Sequence, residues 1–436
     1  MKIAFIAQPF DVLLPNPKNS ISIWVDEISS KIVQNHEAVV YSAKTDSHDE
    51  LTQKNNVRHV GISTVFDKKI IEIINKFQAR IQSLFSKVLG IKIKFYSPKS
   101  HFFRWYYYLF YITDISLKIQ QEKPDSVVLS NFSQFLPIIR FFNKNTKIIL
   151  MMQCDWLIEI DAKRIDSWIK NADIILGCSD YIVEGIKKKF PQFQSKCHTL
   201  YNGSNEIEFN VNEVSDVLIE SIRKELNLKD EKIILFVGRI TPEKGIHVLI
   251  EAMRLVVDLQ PDCALLIVGP FALNPPSPID SKERDSLTNK IETLKNNYKK
   301  HLQELSKPIE DKVKFVGSLP HKRLAAYYSS CDIFVHPSVW NEPFGMILTE
   351  AMSCERPVIS TYAGGIPEIV VHDRTGLLVK PDDTQALADA ILQLLNSEKQ
   401  RGEMGKEGKK RVENKFSWDK TTEVFLEVLE QTKMKQ

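Results

Sequence analysis

Two glutamates lie eight positions apart in the segment NEPFGMILTEAM, residues 341–352. Glu342 lies in a proline-containing turn, whereas Glu350 lies in a run whose composition is typical of a helix. A helix that begins near Gly345 has unpaired amides at its start, and such amides form an anion-binding site. Glu350 shares one helix face with Met346, so it points to the same side as the helix start.

The two glutamates therefore need not pair with each other. They can flank a phosphate and accept hydrogen bonds from hydroxyl groups on either side of it. A ligand with a phosphate centre and hydroxyls at both ends is a nucleotide sugar. The alternative is a capping acid at Glu342 and a solvated helical acid at Glu350, and the spacing alone favours this alternative.

Positive charge for such a ligand is present in FVGRITPEKGIHVLIEAM, residues 236–253. Arg239 and Lys244 lie where an apolar strand gives way to a helix, and Gly238 permits a tight backbone at the strand end. Arginine offers a planar fork to phosphate, and lysine offers a mobile point charge. A lone surface cation is usually only solvated, but the position at a strand-to-helix turn favours diphosphate binding. The chain contains no G-x-G-x-x-G or G-x-x-x-x-G-K-[ST] segment, so a dinucleotide site or a P-loop lacks its fingerprint.

The elements that must position these residues are strands that alternate with helices. Short apolar runs predict strands at KIAFIAQ, AVVYSA, SVVLS, KIILMMQ and DIILGCS, and again at KIILFVGR, ALLIVGP, VKFVGS, DIFVHPS and RPVIST. Continuous apolar strands separated by amphipathic stretches are typical of parallel sheets covered on both faces. A polar, charged stretch over residues 205–232 marks a boundary between two α/β domains. Ligands of such sheets bind beyond the carboxyl ends of the strands, so two facing domains would share a central cleft.

Composition excludes several other classes of protein. The chain has 436 residues, 43 % of them hydrophobic, and a net charge of only +3, which argues against a nucleic-acid partner. The six cysteines are scattered without a C-x-x-C pair, so we expect reduced thiols in a cytoplasmic protein and no zinc site. No run approaches the ~18 apolar residues of a membrane span.

The C-terminal half resembles the retaining GT-B glycosyltransferases of family 4. The resemblance rests on FVGRITPEKGIHVLIEAM, on the stretch from VKFVGSLPHKRL through NEPFGMILTEAM to TGLLVKPDD, and on FSW near the end. The E-x7-E pair formed by Glu342 and Glu350 is typical of that family. The resemblance implies two doubly wound Rossmann-like domains, with an acceptor-binding domain over residues 1–204 and a nucleotide-sugar-binding domain over 205–415. A C-terminal helix, residues 416–436, would cross back to the first domain.

The resemblance also implies a role for each site residue. Arg239 and Lys244 would bind the donor diphosphate and stabilise it as it leaves, and Glu342 would hold hydroxyls of the transferred sugar. Glu350 would accept hydrogen bonds from the ribose. The implied donor-binding residues are Gly238, Val316, Gly317, Leu319, Phe344, Gly345, Met346, Ile347 and Glu350.

The expected reaction is transfer of a sugar from a UDP- or GDP-linked donor to an acceptor hydroxyl, with retention of anomeric configuration. The departing diphosphate carries new negative charge, which preorganised cations and amides stabilise where it develops. The chain contains no Asp-x-Asp motif, so we predict a metal-independent hexosyltransferase without a cofactor.

Two departures from the family pattern concern the N-terminal half. Members often carry Gly-Gly after the first strand, but here the loop over residues 16–22 has no glycine. Asn19 or Ser20 could supply polar contacts instead. Many members also have a histidine near the end of the strand at 148–153, where this chain offers Gln153 or Asp155.

Residues 68–104 carry nine Lys or Arg and a single acid, Glu72. Apolar residues recur there at helical spacing, and aromatic residues are dense over 101–112. Such a segment can lie in a membrane interface, which would place the protein at the inner membrane face through residues 68–112. The alternative, which the requirements of the fold favour, is a helix packed on the domain core with Phe77 buried and its lysines solvated.

Three functions remain open at this point. The first is the glycosyltransferase, with a glycan, lipid-linked or small-molecule acceptor. The second is a GT-B nucleotide-sugar epimerase, which shares the fold but not this E-x7-E context. The third is a catalytically weak or inactive nucleotide-sugar-binding protein, which the altered N-terminal loop and Gln153 would fit.

Overall fold

The computed structural model describes residues 1–431 apart from 12, 16, 18, 45–50, 90–103, 105, 160–161 and 272–297. The described chain forms two compact units that divide between Leu200 and Tyr201. The first unit contains the chain up to Leu200 and the chain from Phe425 onward. The second contains the described residues from Tyr201 to Val424.

The first unit is built on an eight-stranded sheet with the order β3-β4-β2-β1-β5-β6-β7-β8. Its strands are β1 (Lys2–Ile6), β2 (Glu37–Ala43), β3 (Leu51–Lys54), β4 (Val57–Ile62), β5 (Ser126–Ser130), β6 (Lys147–Met152), β7 (Ile174–Gly177) and β8 (Cys197–Thr199). Its helices are α1 (Ser20–Ile32), α2 (Val65–Leu89), α3 (Leu109–Glu122), α4 (Leu136–Phe142), α5 (Trp156–Glu159), α6 (Ala162–Ile169) and α7 (Asp180–Lys189). Neighbouring strands are parallel except for the β3–β4 pair, which is antiparallel.

The second unit is built on a six-stranded, wholly parallel sheet with the order β11-β10-β9-β12-β13-β14. Its strands are β9 (Lys232–Val237), β10 (Cys263–Val268), β11 (Val313–Gly317), β12 (Ile333–His336), β13 (Val358–Thr361) and β14 (Gly376–Val379). Its helices are α8 (Asp216–Glu225), α9 (Ile246–Leu259), α10 (Tyr298–Ser306), α11 (His321–Ser330), α12 (Met346–Ser353), α13 (Ile366–Ile369), α14 (Thr384–Leu395) and α15 (Glu398–Lys415). The last helix, α16 (Trp418–Gln431), has residues in both units. The strand order is that of the doubly wound nucleotide-binding fold, whose ligands bind at the switch between the first and fourth strands.

Both sheets follow from the apolar runs of the sequence. The central strands β1, β5, β9 and β10 are buried along nearly their whole length, as expected for parallel strands with helices on both faces. All ten predicted strands are present, and the prediction of two doubly wound Rossmann-like domains is confirmed. The prediction of unpaired cysteines also agrees with the structure, in which all six are free.

The helix over the basic segment departs from one of our expectations. In α2 the side chains of Ile73 and Phe77 are 65 % and 64 % exposed, so the alternative that buries Phe77 in the core is wrong. Periodicity identified the apolar face of this helix but could not show whether the rest of the unit covers it. The end of the segment, residues 90–103 and 105, lies outside the described residues. Among the described helices, none is long and apolar enough to cross a bilayer.

Candidate active site

Close backbone packing marks the carboxyl edge of the second sheet. The Gly238 amide, just after β9, donates to the Val268 carbonyl oxygen at 2.9 Å. The Gly269 amide, just after β10, donates to the Gly317 carbonyl oxygen at 2.8 Å. A Cβ atom on Gly269 would lie 1.8 Å from the Gly238 carbonyl oxygen, so a side chain there would clash with the neighbouring strand end. Three of the predicted donor residues border this edge at the end of β11 and in the following loop, all half-buried: Val316, Gly317 and Leu319.

Lys244 is carried by a single turn that the neighbouring loop holds in place. The 3-10 helix Pro242–Lys244 ends at Gly245, which adopts φ +70° and begins α9. A Cβ atom on Gly245 would lie 1.9 Å from the Pro337 carbonyl oxygen, so only glycine lets the turn approach the end of β12 this closely. The Val339 amide donates to the Glu243 carbonyl at 3.0 Å and fixes the same approach.

The close packing of the Pro242–Lys244 turn against the end of β12 brings Lys244 next to Glu342. A donor site that both residues share needs this proximity. Lys244 Nζ donates to Glu342 Oε1 at 2.6 Å, Ser338 Oγ donates to the same oxygen at 2.8 Å, and His336 Nε2 lies 3.3 Å from it. Glu342 is only 8 % exposed. Among the described residues, each side chain that forms a hydrogen bond with its carboxylate contacts Oε1. The second oxygen, Oε2, therefore keeps its acceptor capacity for another group.

The charges of this cluster are set by burial and by Lys244. Burial alone would raise the pKa of Glu342, but the Lys244 ammonium and the His336 hydrogen bond outweigh it and hold that pKa well below its usual range. Burial lowers the pKa of His336, so its imidazole is neutral at pH 7. Because a carboxylate can only accept, His336 must carry its proton on Nε2. The cluster thus holds an ionised carboxylate beside a lysine.

Arg239 lies in the same loop and has a different environment. Its side chain is exposed, and the ion pairs and hydrogen bonds of the described chain do not engage its guanidinium. The adjacent Ile240 amide is fixed by a 2.9 Å hydrogen bond to the Pro270 carbonyl. The backbone of Arg239 is therefore held in place, while its side chain remains available to an anion.

The start of α12 supplies amides. Gly345 is its N-cap residue, and no side chain caps this end, so the amides of Met346 and Ile347 lack an intrahelical acceptor. Phe344 is buried, with its ring 6.2 Å from that of Tyr201 and 5.8 Å from that of Phe416. The Phe344 side chain thus anchors the helix start, and only its backbone can serve a ligand.

Glu350 lies in a second, separate network. Tyr328 donates to Glu350 Oε2 at 2.9 Å, and His321 Nε2 lies 3.7 Å from Oε1. The other ring nitrogen of His321, Nδ1, lies 3.0 Å from Glu208 Oε1. Burial lowers the pKa of His321, but its hydrogen bonds to the two carboxylates raise it to about 10, so the imidazolium is charged at pH 7. The two glutamates of the E-x7-E pair contact different residues and not each other, which is compatible with the interpretation that they need not pair.

The candidate residues of the first unit also lie at a carboxyl edge, where they support the fold. Asn19 caps α1 by accepting from the amides of Ile21 and Ser22, and its Nδ2 donates to Asp11 at 2.9 Å. Ser20 is the exposed first residue of α1.

The other two candidates of the first unit follow β6. Gln153 and Asp155 are 8 % and 5 % exposed, and the Gln153 amide donates to Asn131 Oδ1 at 2.7 Å. The backbone of Gln153 is therefore held by Asn131 of the same unit.

Sequence reasoning missed several residues of the second unit, although signals for them exist. His336 is the last residue of the apolar strand β12 and Ser338 comes two residues later, at the strand end where ligand-side residues of parallel sheets lie. His321 and Tyr328 are seven residues apart on α11 and therefore share a helix face. Glu208 has no such signal, because only the fold brings its loop to α11.

Comparison with known proteins agrees with this geometry. The profile of the family described as "Glycosyl transferases group 1" matches residues 219–411, which contain the predicted donor residues from Gly238 to Glu350. The chain is also similar over its whole length to spore coat protein SA of Bacillus subtilis (strain 168), with 26 % identity over 442 residues that cover 99 % of this chain and 100 % of that protein.

Solved structures resemble the whole chain as well. Sucrose-phosphate synthase from Thermosynechococcus elongatus superposes with a TM-score of 0.71 at 22 % identity, covering 100 % of both chains. Anabaena Alr3699/HepE in complex with UDP and glucose superposes with a TM-score of 0.69 at 17 % identity, covering 99 % of both chains. These likenesses confirm the GT-B fold. The segment of the chain over residues 219–411 is the part that is similar to the group 1 glycosyltransferases.

Proposed function

We propose that the protein is a retaining, metal-independent hexosyltransferase that moves a sugar from a UDP- or GDP-linked donor to an acceptor hydroxyl. The observation that supports this most is the meeting of Lys244 and Glu342 at an uncapped helix start. The two residues are 98 positions apart in sequence, and their side chains lie 2.6 Å apart. One cation, one ionised acceptor and free amides at one place match the parts of a sugar diphosphate.

Lys244 and Arg239 would hold the diphosphate. Lysine carries three donors, so Lys244 can keep its bond to Glu342 and still contact a phosphate oxygen. Arg239 would add a planar pair of donors from the exposed side of the loop. As the sugar–phosphate bond breaks, the negative charge grows on the diphosphate. Both cations and the amides of α12 would stabilise it without a metal ion.

The two glutamates would bind the two ends of the donor. Glu342 Oε2 would accept from a hydroxyl of the transferred sugar, while Oε1 stays fixed by Lys244, Ser338 and His336. Glu350 would accept from the ribose, because its network of Tyr328 and His321 is separate from that of Glu342. In this proposal the departing phosphate assists the acceptor hydroxyl on the same face of the sugar, so the configuration is retained.

The test is direct. Purified full-length protein is incubated in EDTA with UDP-glucose, UDP-N-acetylglucosamine and GDP-mannose, and donor consumption is followed by phosphorus and proton NMR. The proposal predicts slow hydrolysis of one donor by water even without acceptor, and a sugar product whose first-formed anomer matches the donor.

The same experiment separates the proposal from its rivals. Consumption that stops in EDTA and returns with Mn²⁺ or Mg²⁺ would contradict metal independence. A first-formed anomer opposite to that of the donor would contradict retention. Binding of nucleoside diphosphate with every donor left intact would favour the inactive binding protein, and a donor converted to its sugar epimer would favour the epimerase.

A further inference from the structure

One face of the first unit carries a stripe of exposed apolar side chains. On α2, the side chains of Phe66, Ile73 and Phe77 are 59 %, 65 % and 64 % exposed. Their spacings of seven and four residues place them on one side of the helix. Phe110, at the start of α3, is 47 % exposed, and its ring lies 4.8 Å from that of Phe66. We call these four residues the apolar stripe.

A contiguous patch of this kind differs from the single exposed apolar residues that every surface carries. Exposed aromatic side chains that touch one another across two helices mark a surface that another body covers. The candidate donor residues of the second unit do not include any residue of α2 or α3, so the stripe is distinct from the proposed donor site.

Cations border the stripe on one side. Lys69, Lys76 and Arg80 are exposed and follow Phe66 by three, ten and fourteen residues. At about 100° per residue, these spacings put all three within roughly 80° of Phe66 on the same side of the helix. The border is therefore positively charged along more than two helical turns.

Among the described residues, an acidic side chain pairs with one of these three cations. Asp67 is buried, and its carboxylate accepts from the amides of Phe110 and Tyr111 at 2.9 and 3.1 Å, so it holds α2 to α3. Glu72 is the exposed acid of the described part of α2, and it pairs with Lys76 at 2.5 Å. Lys69 and Arg80 keep their charges without such a partner among the described residues.

We propose that α2 docks the first unit onto an anionic lipid surface. The apolar stripe enters the boundary between head groups and acyl chains, and Lys69, Lys76 and Arg80 meet the anionic head groups. A helix with aromatic and aliphatic residues on one face and cations along its border is suited to lie in such an interface. The charges oppose a second copy as the occupant, because a symmetric contact through this face would bring like cations together.

The experiment uses the full-length protein and sedimentation with two kinds of vesicle, one of pure phosphatidylcholine and one containing phosphatidylglycerol. The proposal predicts binding to the anionic vesicles at low salt, much weaker binding to the neutral ones, and loss of binding as salt rises. Lys69→Glu and Lys76→Glu should each lower the binding constant for anionic vesicles at least about fivefold. Phe77→Ser should lower it roughly tenfold or more, because an apolar side chain no longer leaves water.

Matched variants control for charge and exposure. Lys300 is an exposed helical lysine that pairs with Glu304 four residues away, as Lys76 pairs with Glu72, so Lys300→Glu is the charge control. Phe141 is 72 % exposed on α4, so Phe141→Ser is the apolar control. Both controls should bind vesicles as the wild type does.

Three outcomes would overturn the proposal. The first is protein that stays in the supernatant with anionic vesicles at low salt, and the second is equal loss of binding in the control variants. The third is a dimer in gel filtration that Phe77→Ser converts to a monomer while vesicle binding is unchanged or absent. That result would assign the stripe to self-association. Donor consumption in solution should be unchanged in Phe77→Ser. Failure of the vesicle-binding proposal can therefore be distinguished from failure of the proposed sugar transfer.

Discussion

A buried carboxyl group lies at the carboxyl edge of each sheet, and the pKa values of the two are shifted in opposite directions. Glu342 of the second unit is 8 % exposed, and Asp11 of the first is 1 % exposed. Burial raises the pKa of both. For Glu342 the Lys244 ammonium reverses the effect, whereas for Asp11 the hydrogen bonds from Asn19 and the backbone only reduce it, and the pKa stays at about 6. The Lys244 ammonium is therefore the main reason why the pKa of Glu342 is lowered while that of Asp11 is raised.

This difference shows how the same architecture can serve two kinds of ligand. The second edge combines Lys244, Arg239 and free helix amides with an ionised acid, so it can hold a diphosphate and a sugar hydroxyl together. The first edge presents neutral amides and an acid that is easily protonated, a set suited to hydroxyl groups. The charge of the edge residues, and not the sheet topology, distinguishes the two.

The largest effect should follow loss of a cation from the second edge. Arg239→Ala should lower donor turnover by about a hundredfold or more, because contacts that strengthen in the transition state are worth about 3 kcal/mol each. Arg239 is exposed, so thermal unfolding should not change. The control is Arg374→Ala, which removes an exposed arginine paired with Glu407 in the same unit. Near-normal turnover in Arg239→Ala would remove this residue from the site.

Removal of the ionised acid should destabilise the second unit. Glu342→Gln leaves Lys244, whose side chain is 18 % exposed, without its counter-ion, and such a loss costs about 3 kcal/mol. Because the pKa of Glu342 is lowered on folding, the stabilisation is present above its unfolded pKa and disappears as pH falls. Urea unfolding at pH 8 should show the loss, while Glu304→Gln, an exposed helical acid, should leave stability unchanged.

How far the sequence could predict these two edges differs between the units. In the second unit, apolar runs located the strands, and the expected helix start near Gly345 together with the family resemblance predicted that Lys244 and Glu342 serve one donor site. In the first unit, Asn19 is predicted as a polar contact for a ligand, and the structure shows in addition that it caps α1 together with Ser22. The N-x-x-S spacing is a sequence signal for that cap. The same polar residues are also expected in a loop that contacts a ligand, so the sequence does not distinguish the two roles.

Tertiary burial was the part that sequence could not supply. The periodicity of α2 is the same whether its apolar face is covered or exposed, so the exposure of Phe77 follows only from the structure. In the same way, the charge of His321 depends on Glu208, which a loop brings to it from 113 positions away. The short strands β3, β4, β8 and β14 also escaped prediction, since they lack long apolar runs.

The opposite stability effect is expected at the first edge. The pKa of Asp11 is raised on folding to about 6, so the folded state binds the extra proton, and stability falls as pH rises from about 4 through 6. Asp11→Asn should therefore stabilise the protein at pH 8 by about 2 kcal/mol, with the gain shrinking toward pH 4. Urea unfolding at several pH values measures this gain, with exposed Asp114→Asn as the control. Destabilisation by Asp11→Asn at pH 8 would contradict the contrast between the edges.

The smallest effect concerns the ribose end of the donor. Glu350→Gln should weaken nucleoside diphosphate binding about tenfold, because a charge-assisted hydrogen bond is lost, and should change turnover of bound donor little. His321→Asn should weaken binding less, since it removes only the group that orients Glu350 and leaves Tyr328 in place. Calorimetry measures both variants. Glu355→Gln, a nearby acid paired with Lys409, should bind as the wild type does. Equal effects of Glu350→Gln and Glu342→Gln on binding and turnover would assign the two acids a single role.

The central claim is that the second edge holds a nucleoside diphosphate through its own cations. Calorimetric titration of the full-length protein with UDP and with GDP, in EDTA, tests it most directly when wild type and Arg239→Ala are compared. The account predicts that one of the two nucleotides binds the wild type without metal and that Arg239→Ala weakens this binding at least tenfold. Absence of binding to the wild type, or equal binding to the variant, would contradict it.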